Sequence, residues 1–206
     1  MKAKIGINLN VRYQLKDRDG NLKPLFNENS LGKFLLKTFR FFVRNSINEY
    51  GQVKEGFLNH LAAYGLRTRL TGRWDNFKLV SNLVVTAGKA GVASRINGDG
   101  AEAAFTYIAN GTGTNAAAAG DTTLQTETAA SGLTRAAGTA SRVTTDVTND
   151  TARLTKAFSV TGSVAITECG VLNAASNGTL LARQVFSAVN VVNGDTWTPT
   201  WDFDVD

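Results

Sequence analysis

From Ile5 to Leu15 the apolar residues occupy only odd positions: Ile5, Ile7, Leu9, Val11, Tyr13 and Leu15. The even positions carry Gly6, Asn8, Asn10, Arg12 and Gln14. This period of two predicts a half-buried β-strand. Asp17-Arg-Asp-Gly-Asn21 follows with turn chemistry, since Gly20 takes a positive φ at no steric cost. A strand of this length needs a sheet, supplied by the rest of the chain or by a neighbouring subunit. The period then changes. Asn29-Ser30 reads as a helix start, and Leu31, Phe34, Leu35, Thr38, Phe41 and Phe42 keep helical spacing to about Ser46. A second helix is expected from Lys54 to Leu66 around Phe57, Leu58, Leu61 and Tyr64, with Gly65 near its end.

After residue 76 the pattern reads as β throughout. Strands are expected near Phe77–Thr86, Phe105–Ala109, Arg142–Thr148, Arg153–Val160, Val164–Leu172, Thr179–Val192 and Thr196–Val205. Turn signals separate them at Asn97-Gly-Asp-Gly100, Asn149-Asp150, Ser176-Asn-Gly178 and Asn193-Gly-Asp195. In the last strand Trp197, Trp201, Phe203 and Val205 share one face, and Thr196, Thr198, Thr200, Asp202 and Asp204 the other. Pro199 takes an inward slot and cannot donate to a ladder, so an edge position or a bulge is expected. The fold class that follows is mainly β. A C-terminal antiparallel β-sandwich (76–206) is joined to a smaller α+β N-terminal region (1–75) made of a strand arm and one or two helices.

Charge divides at the same place. Residues 1–75 hold 14 of the 22 basic residues and 6 of the 17 acids, a net of +8, whereas residues 76–206 carry −3. The basic region suits nucleic acid, anionic lipid or an acidic protein face. Lys33, Lys37, Arg40 and Arg44 fall on one helix face opposite Phe34, Phe41 and Phe42. That stripe fits a solvated helix face, a docking surface for an acidic partner, or an interfacial helix on a membrane or nucleic acid; the four residues are the candidate partner-docking site. No aromatic stacking platform or zinc pattern favours nucleic acid. No apolar run approaches the roughly 20 residues of a membrane span. A secretory leader is not expected, because Met1-Lys-Ala-Lys4 passes directly into the alternating strand.

Candidate chemistry is sparse. One cysteine gives no disulfide framework, and one histidine leaves few catalytic or metal-site designs. Gly111-Thr-Gly113 has the look of a phosphate loop, but no Gly-Lys-Ser/Thr or third glycine follows, and it reads as a turn. Asp17, Asp19 and Asn21 invite calcium, yet the glycine comes too early and no glutamate stands at the twelfth position; a solvated turn is the simpler reading. His60 lacks a nucleophile–acid constellation, and Cys169 beside Glu168 reads as a small buried hydrophobe. Asn110, Asn149 and Asn177 match glycan acceptor triplets, which carry little weight without a leader. Glu168 sits in an otherwise apolar strand, so it either faces solvent or is a paired carboxylate fixing a loop. Asp202, Asp204 and Asp206 alternate on one face, which a solvated edge explains more simply than a glycosidase pair. No catalytic residue, metal or cofactor is expected.

Several segments of the C-terminal part form a series. Tyr107-Ile-Ala-Asn-Gly-Thr-Gly-Thr114 leads to an alanine-rich stretch and Asp121-Thr-Thr-Leu124; then come Ala165-Ile-Thr-Glu-Cys-Gly-Val-Leu-Asn173, Gly178-Thr-Leu-Leu-Ala-Arg183 and Gly194-Asp-Thr-Trp-Thr-Pro-Thr-Trp201. The order resembles the bacteriophage tail-collar and tail-fibre-associated domain over roughly residues 80–206. Asn110 stands where that family commonly has Gly or an apolar residue, and Cys169 where it has Ile or Val. The resemblance implies a non-enzymatic virion structural protein, a tail or collar component or fibre adaptor assembled in the host cytoplasm. Its partners would be copies of itself and other tail, collar, portal-proximal or fibre proteins, with no specific nucleic acid and no stable membrane insertion. Alternatives from other classes are a capsid decoration or head-fibre protein, and a module binding a host glycan or receptor.

Overall fold

The computed structural model of the chain describes residues 7–23 and 83–205. In chain order these form β1 (Ile7–Lys16), β2 (Leu83–Val84), α1 (Thr86–Asn97), a 3-10 turn (Asp99–Ala101), β3 (Tyr107–Gly111), β4 (Ala136–Ala137), β5 (Thr139–Val143), β6 (Thr151–Thr155), β7 (Phe158–Ser159), β8 (Val164–Leu172), β9 (Leu180–Val191) and β10 (Thr196–Val205). The strands make two antiparallel sheets. The first runs β1-β10-β6-β5 with β7 also beside β10, and the second runs β2-β9-β8-β3-β4. The expected mainly-β, sandwich-like architecture is the observed one. The two helices expected at 29–46 and 54–66 lie outside the described residues, as does the strand expected at 77–86 up to residue 82; of its remainder only Leu83–Val84 is strand, and Thr86 opens α1.

The alternating first strand finds its sheet within its own chain. β1 pairs with β10 over ten residues, from Ile7 opposite Val205 to Lys16 opposite Thr196. It buries Val11, Tyr13 and Leu15. Residues 1–22 therefore belong to one compact unit with residues 79–206, and residues 23–78 form the other. The compositional boundary near residue 75 marks the end of a segment inserted after β1, while the strand arm itself is part of the sandwich.

Between the sheets lies an aromatic core. Tyr13 of β1 stacks on Trp197 of β10 with centroids 5.0 Å apart, and it meets Phe186 of β9 at 4.6 Å. Trp201 stacks on Phe203 at 6.1 Å. Rings of this size each bury on the order of 150–250 Å2. Two buried hydrogen bonds tie one sheet to the other: the Tyr13 hydroxyl donates to Gln184 Oε1 at 2.7 Å, and the Trp197 indole N–H donates to Asn110 Oδ1 at 2.8 Å. Burial pushes the Tyr13 phenol well above its ordinary value.

β10 is an interior strand, so the edge position expected from Pro199 is not what occurs. The Pro199 carbonyl accepts the Lys156 N–H, so this residue's polar edge faces the break between β6 and β7. A residue's N–H and C=O point to the same side of a strand, and the missing donor of proline falls where no ladder bond is needed. The same interior position corrects the reading of the alternating acids. Asp202 and Asp204 are buried rather than solvated, because β1 and β6 flank them. Arg12 Nη2 from one side and Arg153 Nε from the other reach Asp202 at 2.8 and 2.7 Å, and Thr151 donates to Asp204.

The helix α1 has no counterpart in the expected elements. Its buried residues are Gly88 and Gly91, so it lacks the apolar stripe by which a helix is recognised. It contacts β9 through bare backbone: a Cβ on Gly88 would lie 2.2 Å from the Leu181 carbonyl oxygen. The strand expected at 142–148 is also displaced, to Thr139–Val143. The Asp150 carboxylate accepts the N–H groups of Thr145, Asp146 and Val147, drawing this segment into a turn despite the β preference of its Thr and Val.

Candidate functional site

β8 is buried on both faces, which places Glu168 on the side of the second sheet away from the aromatic core. There it meets the loop that leaves β3. Glu168 Oε1 accepts the backbone N–H of Gly113 at 3.0 Å and of Thr126 at 2.6 Å; Oε2 accepts that of Gln125 at 3.0 Å and Arg183 Nε at 2.8 Å. Arg183, next door on β9, extends the network by donating to Asp121 Oδ2 at 2.8 Å and to the Asn115 carbonyl at 3.1 Å. Asp121 also accepts the Ala118 N–H and thereby closes the turn beneath it. Burial works against the Arg183 charge, but hydrogen bonds to Asp121 and Glu168 outweigh it and raise its pKa above the ordinary value.

Gly111 and Gly113 are part of this arrangement because there is no room for a side chain. A Cβ at either position would come within 2.5 Å of Glu168 Oε1. Of the Gly-Thr-Gly segment, read from the sequence as a turn, the Gly113 N–H converges with those of Gln125 and Thr126 on an anion. The anion is the chain's own carboxylate. Glu168 is fully buried with both oxygens saturated, so of its two expected readings the loop-fixing one holds. Leu124, carried on the same loop, packs with Val85, Ala109, Leu172 and Leu180 on the outer side of the second sheet.

Other candidates resolve locally. The Asp17 carboxylate accepts the N–H groups of Asp19 and Asn21, so it closes its own turn. Among the described residues no group of three or more His, Cys, Asp or Glu is placed to hold a metal ion. Cys169 is buried, and burial pushes its thiol up to about 12 against the opposing pull of the Trp201 indole N–H. That indole N–H has no oxygen or nitrogen partner. Asn110 is buried and bonded to Trp197, while Asn149 and Asn177 are exposed with positive φ. Among the described residues no helix is long and apolar enough to cross a membrane. Lys33, Lys37, Arg40, Arg44 and His60 lie outside the described residues.

The structure brings together residues that the sequence left scattered. Gly111, Gly113, Asp121, Glu168 and Arg183 come from four of the quoted segments and meet in one cluster, and Trp197 of the fifth donates across the space between the sheets to Asn110, the neighbour of Gly111. Sequence reasoning missed Arg183, Gln184 and Tyr13 as polar partners. A base in one apolar strand and an acid in the next are each other's natural partner, and that is the signal that points to Arg183. Gln184 and Tyr13 had no such signal, since both sit in ordinary strand patterns. No protein-family model, no curated protein and no solved structure matches this chain.

Proposed function

We propose that the protein is a non-enzymatic structural component of a bacteriophage particle, a tail or collar component or fibre adaptor that assembles with its own copies and with neighbouring tail proteins. The observation that carries this reading is the convergence of the quoted motifs on one saturated cluster. Each motif residue serves the scaffold: the glycines admit a carboxylate, Glu168 and Arg183 hold the covering loop, and Trp197 and Asn110 join the sheets. A series of motifs engaged in this way suits a module whose task is shape and attachment. The +8 region at residues 1–75 suits docking on an acidic neighbour, with Lys33, Lys37, Arg40 and Arg44 as its contact residues.

Antibody labelling of particles released from the host that carries the gene tests this reading. Gold particles clustered at the tail or collar are expected. A chain absent from purified particles would overturn it, and binding of the isolated protein to a glycan array would move the reading to host-surface recognition. Reversing Lys33, Lys37, Arg40 and Arg44 to Glu is expected to release the protein from the particle without disturbing β1. Truncating residues 1–75 is the wrong probe, because it removes a strand of the sandwich.

A further inference from the structure

The chain contains four Asn-Gly pairs, at Asn97, Asn110, Asn177 and Asn193. Asparagine before glycine is chemically labile, because the glycine amide nitrogen can attack the asparagine side-chain carbonyl with no Cβ in the way. In the folded protein that attack needs a free glycine N–H and a free carboxamide. The four pairs differ in both respects.

At Asn97 the Gly98 N–H donates to the Ser94 carbonyl at 2.7 Å, and the Asn97 carboxamide accepts the Asp99 N–H. At Asn193 the Gly194 N–H donates to the Val160 carbonyl at 2.9 Å. Asn110 is fully buried, and its carboxamide holds the Trp197 indole. Asn177 and Gly178 are exposed on the loop between β8 and β9. The loop is anchored on either side: Asn173 Oδ1 accepts the Thr179 N–H at 2.7 Å, and Arg135 Nη1 donates to the carbonyls of Ala174 and Asn177. Among the described residues, neither the Gly178 N–H nor the Asn177 carboxamide has a hydrogen-bond partner. The turn also requires its glycine. Gly178 has φ +77, and a Cβ there would lie 2.5 Å from Asn173 Oδ1.

We propose that Asn177 is a site of spontaneous modification that deamidates through a succinimide ahead of the other three Asn-Gly pairs. The Gly178 nitrogen forms a bond to Asn177 Cγ, and the side-chain nitrogen leaves as ammonia, carrying the Gly178 amide proton. Water then opens the imide. Attack at Cγ gives aspartate, and attack at the main-chain carbon gives isoaspartate. Either product places a new negative charge on the loop beside Arg135 and lowers the net charge from +5 to +4. This inference is independent of the proposed function.

The test is incubation of the full chain at mildly alkaline pH, with peptide mapping by mass spectrometry over time. Conversion at Asn177 is expected several-fold ahead of Asn97 and Asn193, with Asn110 last. The same chain unfolded in urea is expected to lose this order, because all four sites are then exposed Asn-Gly pairs with no folded hydrogen bond or burial to set them apart. Asn177→Gln is expected to abolish the early charge loss while the circular dichroism spectrum stays unchanged. A folded chain in which Asn97 or Asn193 reacts first, or an order that persists in urea, would overturn the proposal.

Discussion

The space between the two sheets and the layer outside the second sheet both exclude water, but they are held in different ways. Between the sheets, large rings supply the cohesion, and two neutral hydrogen bonds set how one sheet sits on the other. Outside the second sheet the covering loop is rich in small and polar residues, and Leu124 is the large apolar side chain it contributes to the cluster there. A charged pair holds that loop: Glu168 collects three backbone N–H groups and Arg183. The comparison shows how a segment too poor in apolar surface to pack by itself can be ordered by one buried anion. Buried polar groups are very costly unless satisfied, so a loop that satisfies one is held firmly.

The sharpest way to break this difference is Glu168→Ala. It leaves Arg183 and three backbone N–H groups without the acceptor they share, and removing one partner of a buried ion pair costs about 3–5 kcal/mol. A fall of that size in urea-unfolding free energy is expected. Replacing Glu168 and Arg183 together by apolar residues should not restore stability, because the N–H groups of Gly113, Gln125 and Thr126 remain orphaned.

The aromatic core predicts a smaller and more selective effect. Trp197→Phe strips Asn110 of its donor, whereas Trp201→Phe removes an N–H that has no oxygen or nitrogen partner. The first substitution is expected to cost about 1–3 kcal/mol more than the second, the penalty for a buried unsatisfied group. Equal losses in chemical denaturation would mean that the inter-sheet hydrogen bond adds nothing to the packing. Cys169 reports on the same space. With its thiol pushed up to about 12, it is expected to resist thiol reagents in the folded protein and to react on unfolding.

The smallest expected effect lies at the surface. Backbone N–H groups led by that of Val147 hold the Asp150 carboxyl below its ordinary 3.8, so its contribution to stability is present above that value and is lost as pH falls. Asp150→Asn should therefore lower stability at neutral pH and converge with the parent protein in acid. A nuclear magnetic resonance titration of the Asp150 carboxyl with its midpoint at or above 3.8 would contradict this assignment.

Much of the sheet architecture is legible in the chain itself. The bounds of β10 follow from alternation, those of β8 from a largely apolar run that ends before a turn, and β1 from its run of odd apolar positions. These elements are encoded locally, since a side-chain period of two repeats over ten residues. α1 escapes such a reading because its contact face is glycine backbone, which leaves no hydrophobic period to detect. The partner of β1 is likewise invisible locally, since the strand pairs with residues almost the full length of the chain away. For the candidate cluster, the sequence by itself determined that Glu168 faced either solvent or a partner. Only the tertiary structure decided that the partner would be Arg183 together with a glycine loop more than forty residues upstream. The reason is physical. Periodicity records which face of an element is apolar, but the satisfaction of a buried charge depends on which distant donors the folded chain brings within hydrogen-bond reach.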